Sequence, residues 1–205
     1  MFSVIDVETT GLSPKYNDRI IEVGIVKIDE EGVISGGFET LINPDREPGP
    51  VHIHGISNSM VSRAPRFSEI APDIIDFISG TYVTAHNSGF DFSFLNSEFA
   101  MAGLDFRLSG LCTLKIAREI LPQLPSRSLE YLSRHFKITN KLAHSAYSDA
   151  LAAAELLIIF LREYNYEIKY NREVLTENCI ADFPGFCLSG KKLKRSDLTY
   201  SYKEG

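Results

Sequence analysis

Five side chains in this chain have the types and spacing to do chemistry: Asp6, Glu8, Asp91, His144 and Asp149. Asp6 and Glu8 end an alternating apolar segment, Phe2 to Glu8, and being two residues apart they share one face of a strand. Two carboxylates ~4 Å apart repel by roughly 4 kcal/mol at an effective dielectric of 20, so the pair calls for a counter-ion. Taken alone, such a pair would also suit a solvated strand end. The turn that follows, Thr9-Thr10-Gly11, lets backbone N–H groups come close to a ligand. Asp91 follows the apolar segment Tyr82–His86 and opens the next helix, where an isolated aspartate would serve as a cap. Asp149 shares a helix face with Ala153, Leu156 and Phe160, the face expected to be buried. An ionised carboxylate is unfavourable there unless it is paired or metal-bound. His144 lies five residues earlier, in the loop leading into that helix, and is a general-base candidate. Four oxygen-donor acids and one histidine suit a divalent-metal site for phosphodiester hydrolysis.

The elements that must carry these residues are legible from hydrophobic period. Phe2–Glu8, Arg19–Ile28 and Val33–Ile42 read as strands, with a possible bulge marked by Gly36-Gly37, and their short links imply an antiparallel meander. From residue 65 the period becomes helical (Phe67, Ile70, Ala71, Ile74, Phe77, Ile78), with Gly80 ending the helix. Tyr82–His86 reads as a short buried strand, and a helix follows with Phe92, Leu95, Phe99 and Ala102 on one stripe. Phe106–Cys112 is a further strand candidate, then helices come near 113–121, 128–136 and 146–164. Strands first, then strand–helix alternation, gives an α/β fold with a mixed sheet and helices packed on it. The domain boundary is expected near 165–170, leaving 166–205 as a C-terminal extension of little periodicity.

At 205 residues the chain is long enough for one core, and 44% hydrophobic with 23% charged residues is ordinary globular composition. The N-terminus lacks the basic region of a targeting segment. The longest strongly apolar run, Leu156–Leu161, is six residues, against the ~20 that span a bilayer. Three cysteines without CxxC spacing point to a reducing cytoplasm and away from a zinc site. A net charge of −6 argues against general electrostatic coating of nucleic acid, but not against gripping a few nucleotides through metal ions.

Three segments together resemble a known family, the DEDDh exonucleases, which include the proofreading subunit of bacterial replicative polymerases. Asp6-Val7-Glu8-Thr9-Thr10-Gly11 is similar to its first motif, His86-Asn87-Ser88-Gly89-Phe90-Asp91 to its second, and His144-Ser145-Ala146-Tyr147-Ser148-Asp149-Ala150 to its third. His54-Gly55-Ile56 and Ser128-Leu129-Glu130-Tyr131-Leu132 resemble secondary signatures. The likeness covers residues 1–164, making 1–165 the exonuclease domain. It implies a ribonuclease-H-like fold with a mixed five-stranded sheet, and removal of nucleoside 5′-monophosphates from a nucleic-acid 3′ end. Asp6, Glu8 and Asp149 would hold two Mg²⁺ or Mn²⁺ ions, with Asp91 binding directly or through water, and His144 would take a proton from the attacking water. Thr9, Leu12, His54 and Phe90 match positions that touch the terminal nucleotide. Four carboxylates and two divalent ions balance in charge, and oxygen ligands suit Mg²⁺.

Two departures stand out. Ser145 occupies a position where members often carry arginine, and Gly49-Pro50 stands where some place an acid near the terminal sugar. The resemblance implies single-stranded DNA 3′ ends as partner, in proofreading or repair, with a DNA polymerase subunit as a further partner and no membrane. An RNA-trimming enzyme on the same scaffold stays open, because the motifs do not read the 2′-OH. So does a polymerase-associated binding subunit with weak activity. The extension reads either as a solvated tail or as a docking segment, with Lys191, Lys192, Lys194 and Arg195 able to meet phosphates or an acidic surface.

Overall fold

The first eight structured residues set the architecture, because Phe2–Thr9 (β1) is apolar on both faces until its acids and so must be covered on both sides. In the computed structural model, which describes residues 1–139, 145–164 and 166, β1 is the central strand of five. Ile20–Ile28 (β2) and Ile34–Leu41 (β3) follow as the expected antiparallel meander. Tyr82–Ala85 (β4) then pairs parallel to β1, and Leu111–Cys112 (β5) pairs parallel to β4, for an order β3-β2-β1-β4-β5. The mixed five-stranded α/β sheet expected from the sequence is therefore present.

Helices cover both faces. Ile5, Val7, Val23 and Ile25 point to one side, where they pack with Phe67–Ile78 (α3) and Gly89–Met101 (α4). Val4, Val26 and Ile28 point to the other, against Thr113–Ile120 (α5), Leu129–Phe136 (α6) and Ala146–Arg162 (α7). Two one-turn helices, Val51–His54 (α1) and Asn58–Val61 (α2), and a 3₁₀ turn at Pro14–Tyr16 complete the described elements; the sequence pattern had shown none of the three.

The irregularity expected at Gly36-Gly37 is a register shift in which Lys27 faces Gly36 and Ile28 faces Ile34. Phe106–Cys112 is strand only in its last two residues. The Asn96 side chain takes both backbone groups of Leu108, accepting its N–H at 2.6 Å and donating to its carbonyl at 3.0 Å, so that segment follows α4 rather than a sheet edge. Among the described residues no helix is long and apolar enough to cross a membrane. The boundary expected near 165–170 and the extension to residue 205 lie outside, or at the edge of, the described residues.

Candidate active site

The alternation of β1 sends Phe2, Val4, Asp6 and Glu8 to the α7 side, and there the two acids meet a third. Asp6, Glu8 and Asp149 each offer an oxygen such that the three atoms lie within 4.8 Å of one another. Ala153, Leu156 and Phe160 on the same helix stripe are buried as expected. Asp149 is half-buried instead, because it sits in the first turn of α7, where the stripe runs out beside the carboxylates. Neither Asp6 nor Glu8 has an ion-pair partner among the described residues.

What lets Asp149 reach β1 is missing bulk on the sheet. Gly24 of β2 lies directly across from Asp6, and a Cβ there would come within 2.2 Å of the Tyr147 nitrogen and 2.3 Å of the Ala146 carbonyl carbon. A Cβ on Gly37 of β3 would likewise press on the Tyr147 ring, 2.5 Å from its hydroxyl. The two glycines make a trough in which the first turn of α7 lies against sheet backbone.

Asp91 arrives from the other side. It is the third residue of α4, with Ser88 at the N-cap, and it is buried. β4 pairs with β1 only as far as Val4, so β1 continues beyond its parallel neighbour. Asp91 Oδ1 accepts the N–H of Val7 at 3.2 Å in the space β4 leaves, which places a fourth carboxylate beside Asp6. This is the crevice at the carboxyl end of a strand with a neighbour on one side only, where α/β sheets place ligands.

The electrostatics of the four acids follow from crowding. Burial first, then Asp91, Asp149, Glu8 and Glu22, holds the Asp6 carboxyl well above the usual carboxylate range. Burial, Asp149, Glu22 and Asp91 push Glu8 up to about 8. Asp91 is raised to about 7 by burial, although its own N–H and that of Val7 favour the ionised form. Such a set is under strain until cations arrive, and its donors are all oxygens, the ligand type that Mg²⁺ and Mn²⁺ prefer.

Two acids that the sequence did not single out belong to this neighbourhood. Glu22 of β2 faces Glu8 across the ladder and Glu39 of β3 faces Gly24. Glu22 accepts the N–H of Ala146 at 2.8 Å, and burial raises it to about 7. Glu39 accepts from the Ser145 hydroxyl at 3.4 Å. An acid inside an otherwise apolar strand was a visible signal, but the ten residues between β1 and β2 are too long a link to reveal that Glu22 lies opposite Glu8.

The four residues expected at a terminal nucleotide all lie among the described residues. Thr9 is buried, its hydroxyl donating to the Gly11 carbonyl at 2.7 Å, and Leu12 is 87% exposed in the turn beyond. His54 ends α1 and is buried; its Nδ1 accepts the Ile56 N–H at 3.0 Å, and burial lowers its pKa. Its Nε2 is buried, on the side of the Pro48 carbonyl. Gly49, with φ +85°, brings the segment before α1 onto the Thr10 backbone so closely that a Cβ would lie 2.2 Å from the Thr10 carbonyl oxygen. Phe90, next to Asp91, is half-buried, its ring centroid 5.0 Å from that of Phe94. His144 lies outside the described residues.

His86, the first residue of the second motif, is structural. Its Nε2 is 3.0 Å from the Arg127 carbonyl, which can only accept, so Nε2 carries the proton and Nδ1 accepts from the Thr113 hydroxyl at 2.9 Å. Burial lowers its pKa to about 4, keeping the ring neutral while it ties the end of β4 to α5 and to the segment before α6.

Fold and acid cluster together make a candidate metal-binding site, and comparison with known proteins gives the family. The model of the RNase T exonuclease family matches residues 3–157, and the chain belongs to that family. It is 37% identical over 170 residues to DNA polymerase III subunit epsilon of Treponema pallidum, covering 80% of this chain and 77% of that one. It is also 37% identical over 164 residues to the PolC-type DNA polymerase III of Caldanaerobacter subterraneus, where the match spans 79% of this chain but only 12% of that much longer protein. Among solved structures, Exonuclease X in complex with 5′-overhanging duplex DNA superposes with a TM-score of 0.66 at 27% identity, over 82% of this chain and 95% of that one. The protein is accordingly an epsilon-like exonuclease.

Proposed function

We propose that this protein removes nucleoside 5′-monophosphates one at a time from the 3′ end of DNA, in proofreading or repair. The observation that carries the reading is the trio Asp6, Glu8 and Asp149, brought from β1 and α7 to within 4.8 Å with oxygen donors only. In this reading the trio holds two Mg²⁺ or Mn²⁺ ions and Asp91 completes the set directly or through water. Bound there, the ions would supply an activated water and stabilise the leaving 3′ oxygen. His144 is the residue we assign to take the proton from that water.

The chain's own groups do the rest. The Thr9 turn, Leu12 and Phe90 supply a backbone edge and two apolar surfaces against which the terminal base and sugar can lie. His54, at the end of α1, follows the segment that Gly49 brings against the Thr10 backbone, from where it can meet the terminal nucleotide. Binding between these surfaces sets the last phosphodiester over the carboxylates. Kinship with epsilon subunits supports a DNA polymerase subunit as partner, as the names of those relatives suggest.

The test uses 5′-labelled single-stranded DNA and RNA of matched sequence with Mg²⁺ or Mn²⁺, comparing wild type with Asp6→Ala. A one-nucleotide ladder on DNA that Asp6→Ala abolishes is the expected result. A ladder mainly on RNA would replace the substrate, and no ladder on either would overturn the reading.

A further inference from the structure

We infer that Glu22 is a positioning residue for the metal-binding end of α7, capping that helix from the neighbouring strand; this deepens the reading above and rests on it. The first N–H groups of a helix have no partner within the helix and usually take one from the side chain just before it. α7 begins at Ala146 and its N-cap residue is Ser145, which is of the right type. Yet the Ser145 side chain makes no cap hydrogen bond, its hydroxyl turning to Glu39 instead. The orphan N–H of Ala146 is taken by Glu22 Oε2 at 2.8 Å, from a residue 124 positions earlier in the chain.

The consequence is geometric. Glu22 lies directly across from Glu8 and, on the same face of β2, two residues from Gly24, the glycine that admits the first turn of α7 to the sheet. The trough sets how closely the first turn of α7 approaches the sheet, and the hydrogen bond from Ala146 to Glu22 ties the start of that turn to one place on β2. Asp149 is held by that same turn, its N–H donating to the Ser145 carbonyl at 3.0 Å. Glu22 thereby sets the distance between Asp149 on α7 and Asp6 and Glu8 on β1. A negatively charged acceptor also suits the positive end of the helix dipole. A carboxylate directly across from Glu8 adds like charge to the cluster, so its place there asks for a compensating role.

The experiment compares Glu22→Ala, which removes the acceptor, with Glu22→Gln, which keeps an acceptor oxygen and loses the charge. Mn²⁺ binding is followed by electron paramagnetic resonance, and kcat, KM and thermal stability are measured beside wild type and Asp6→Ala. Groups that hold metal-binding side chains in place typically cost 10–100-fold in metal affinity when lost, so Glu22→Ala should weaken Mn²⁺ binding by about that factor and lower kcat with KM little changed. Glu22→Gln should bind Mn²⁺ within about threefold of wild type. Wild-type Mn²⁺ affinity in a folded Glu22→Ala would overturn the inference, and so would a Glu22→Gln as weak as Glu22→Ala, which would assign the effect to charge. Lowered thermal stability with unchanged metal affinity would reduce Glu22 to a structural residue, also against it. A wild-type protein that binds Mn²⁺ but cleaves neither DNA nor RNA would instead remove the exonuclease reading and leave the capping test standing.

Discussion

Gly24→Ala adds one methyl group and should disable the site without touching any acid. The new Cβ would lie 2.2–2.4 Å from three backbone atoms of Ala146 and Tyr147. Carbon contacts settle near 3.5–4.0 Å, so a gap of roughly 1 Å or more must open between β2 and the first turn of α7. The obstructing atoms are backbone, so no rotamer change relieves the clash, and a packed helix moves as a body rather than bending locally. Asp149 rides on that turn, and metal–ligand distances are held to about ±0.2 Å in a working site, five times finer than the displacement. A misplacement of ~1 Å in a catalytic constellation commonly costs about 100-fold. Overpacking of this kind also costs about 1–3 kcal/mol. For a domain of this size 2 kcal/mol lowers Tm by roughly 4–8 °C. The assay is single-nucleotide release from labelled single-stranded DNA at saturating Mn²⁺, with Tm from circular dichroism on the same preparation. The expected result is kcat down by about 100-fold, with KM nearly unchanged because Thr9, Leu12, His54 and Phe90 lie on other segments. A variant with kcat within threefold of wild type and the same Tm would refute the argument that the Gly24 trough positions α7.

Other outcomes follow from the same structure. In metal-free protein the raised carboxyls bind more protons folded than unfolded, so stability must fall as pH rises from the ordinary carboxylate value of 4.5 toward about 8 for Glu8, with Asp91 turning over near 7. Each such acid costs up to ~1.4 kcal/mol per pH unit within its window, and Mn²⁺ should restore Tm by an amount that grows with pH; a metal-free Tm that rises over this range would contradict the crowding. His144→Ala should keep Mn²⁺ binding and lose ~10²–10⁴-fold in kcat, and near-wild-type turnover would remove the general-base role. Arg19 makes paired 2.7 Å hydrogen bonds to Glu98, whose side chain is 2% exposed and also accepts the Ile20 N–H at 3.2 Å. Arg19→Ala strands that buried carboxylate at a cost of about 3–5 kcal/mol, seen as a Tm lower by roughly 10 °C, and Glu98→Gln in the same background should recover part of it.

Local order along the chain determined a good deal of this protein. The two-residue period of Phe2–Glu8 put Asp6 and Glu8 on one face, and the helical period of Ala153, Leu156 and Phe160 oriented α7 toward the sheet, because side-chain direction in a strand or helix depends only on position in the repeat. Residues keep their face of the repeat on folding, which is why the family motifs on them are legible, although Asp149, in the first turn of α7, is only half-buried. Tertiary structure alone decided what lies across from what. That Glu22 faces Glu8, and that Gly24 faces Asp6 with room for Ala146 and Tyr147, depends on a strand register which a ten-residue link does not encode. That Asp91 meets Val7 depends on β4 stopping short of the end of β1, and that Phe106–Leu108 is not a strand depends on Asn96 of a different element taking its backbone groups. Each of these is a contact between residues far apart in the chain, fixed by packing and by the demand of buried polar groups for partners, neither of which a period can express.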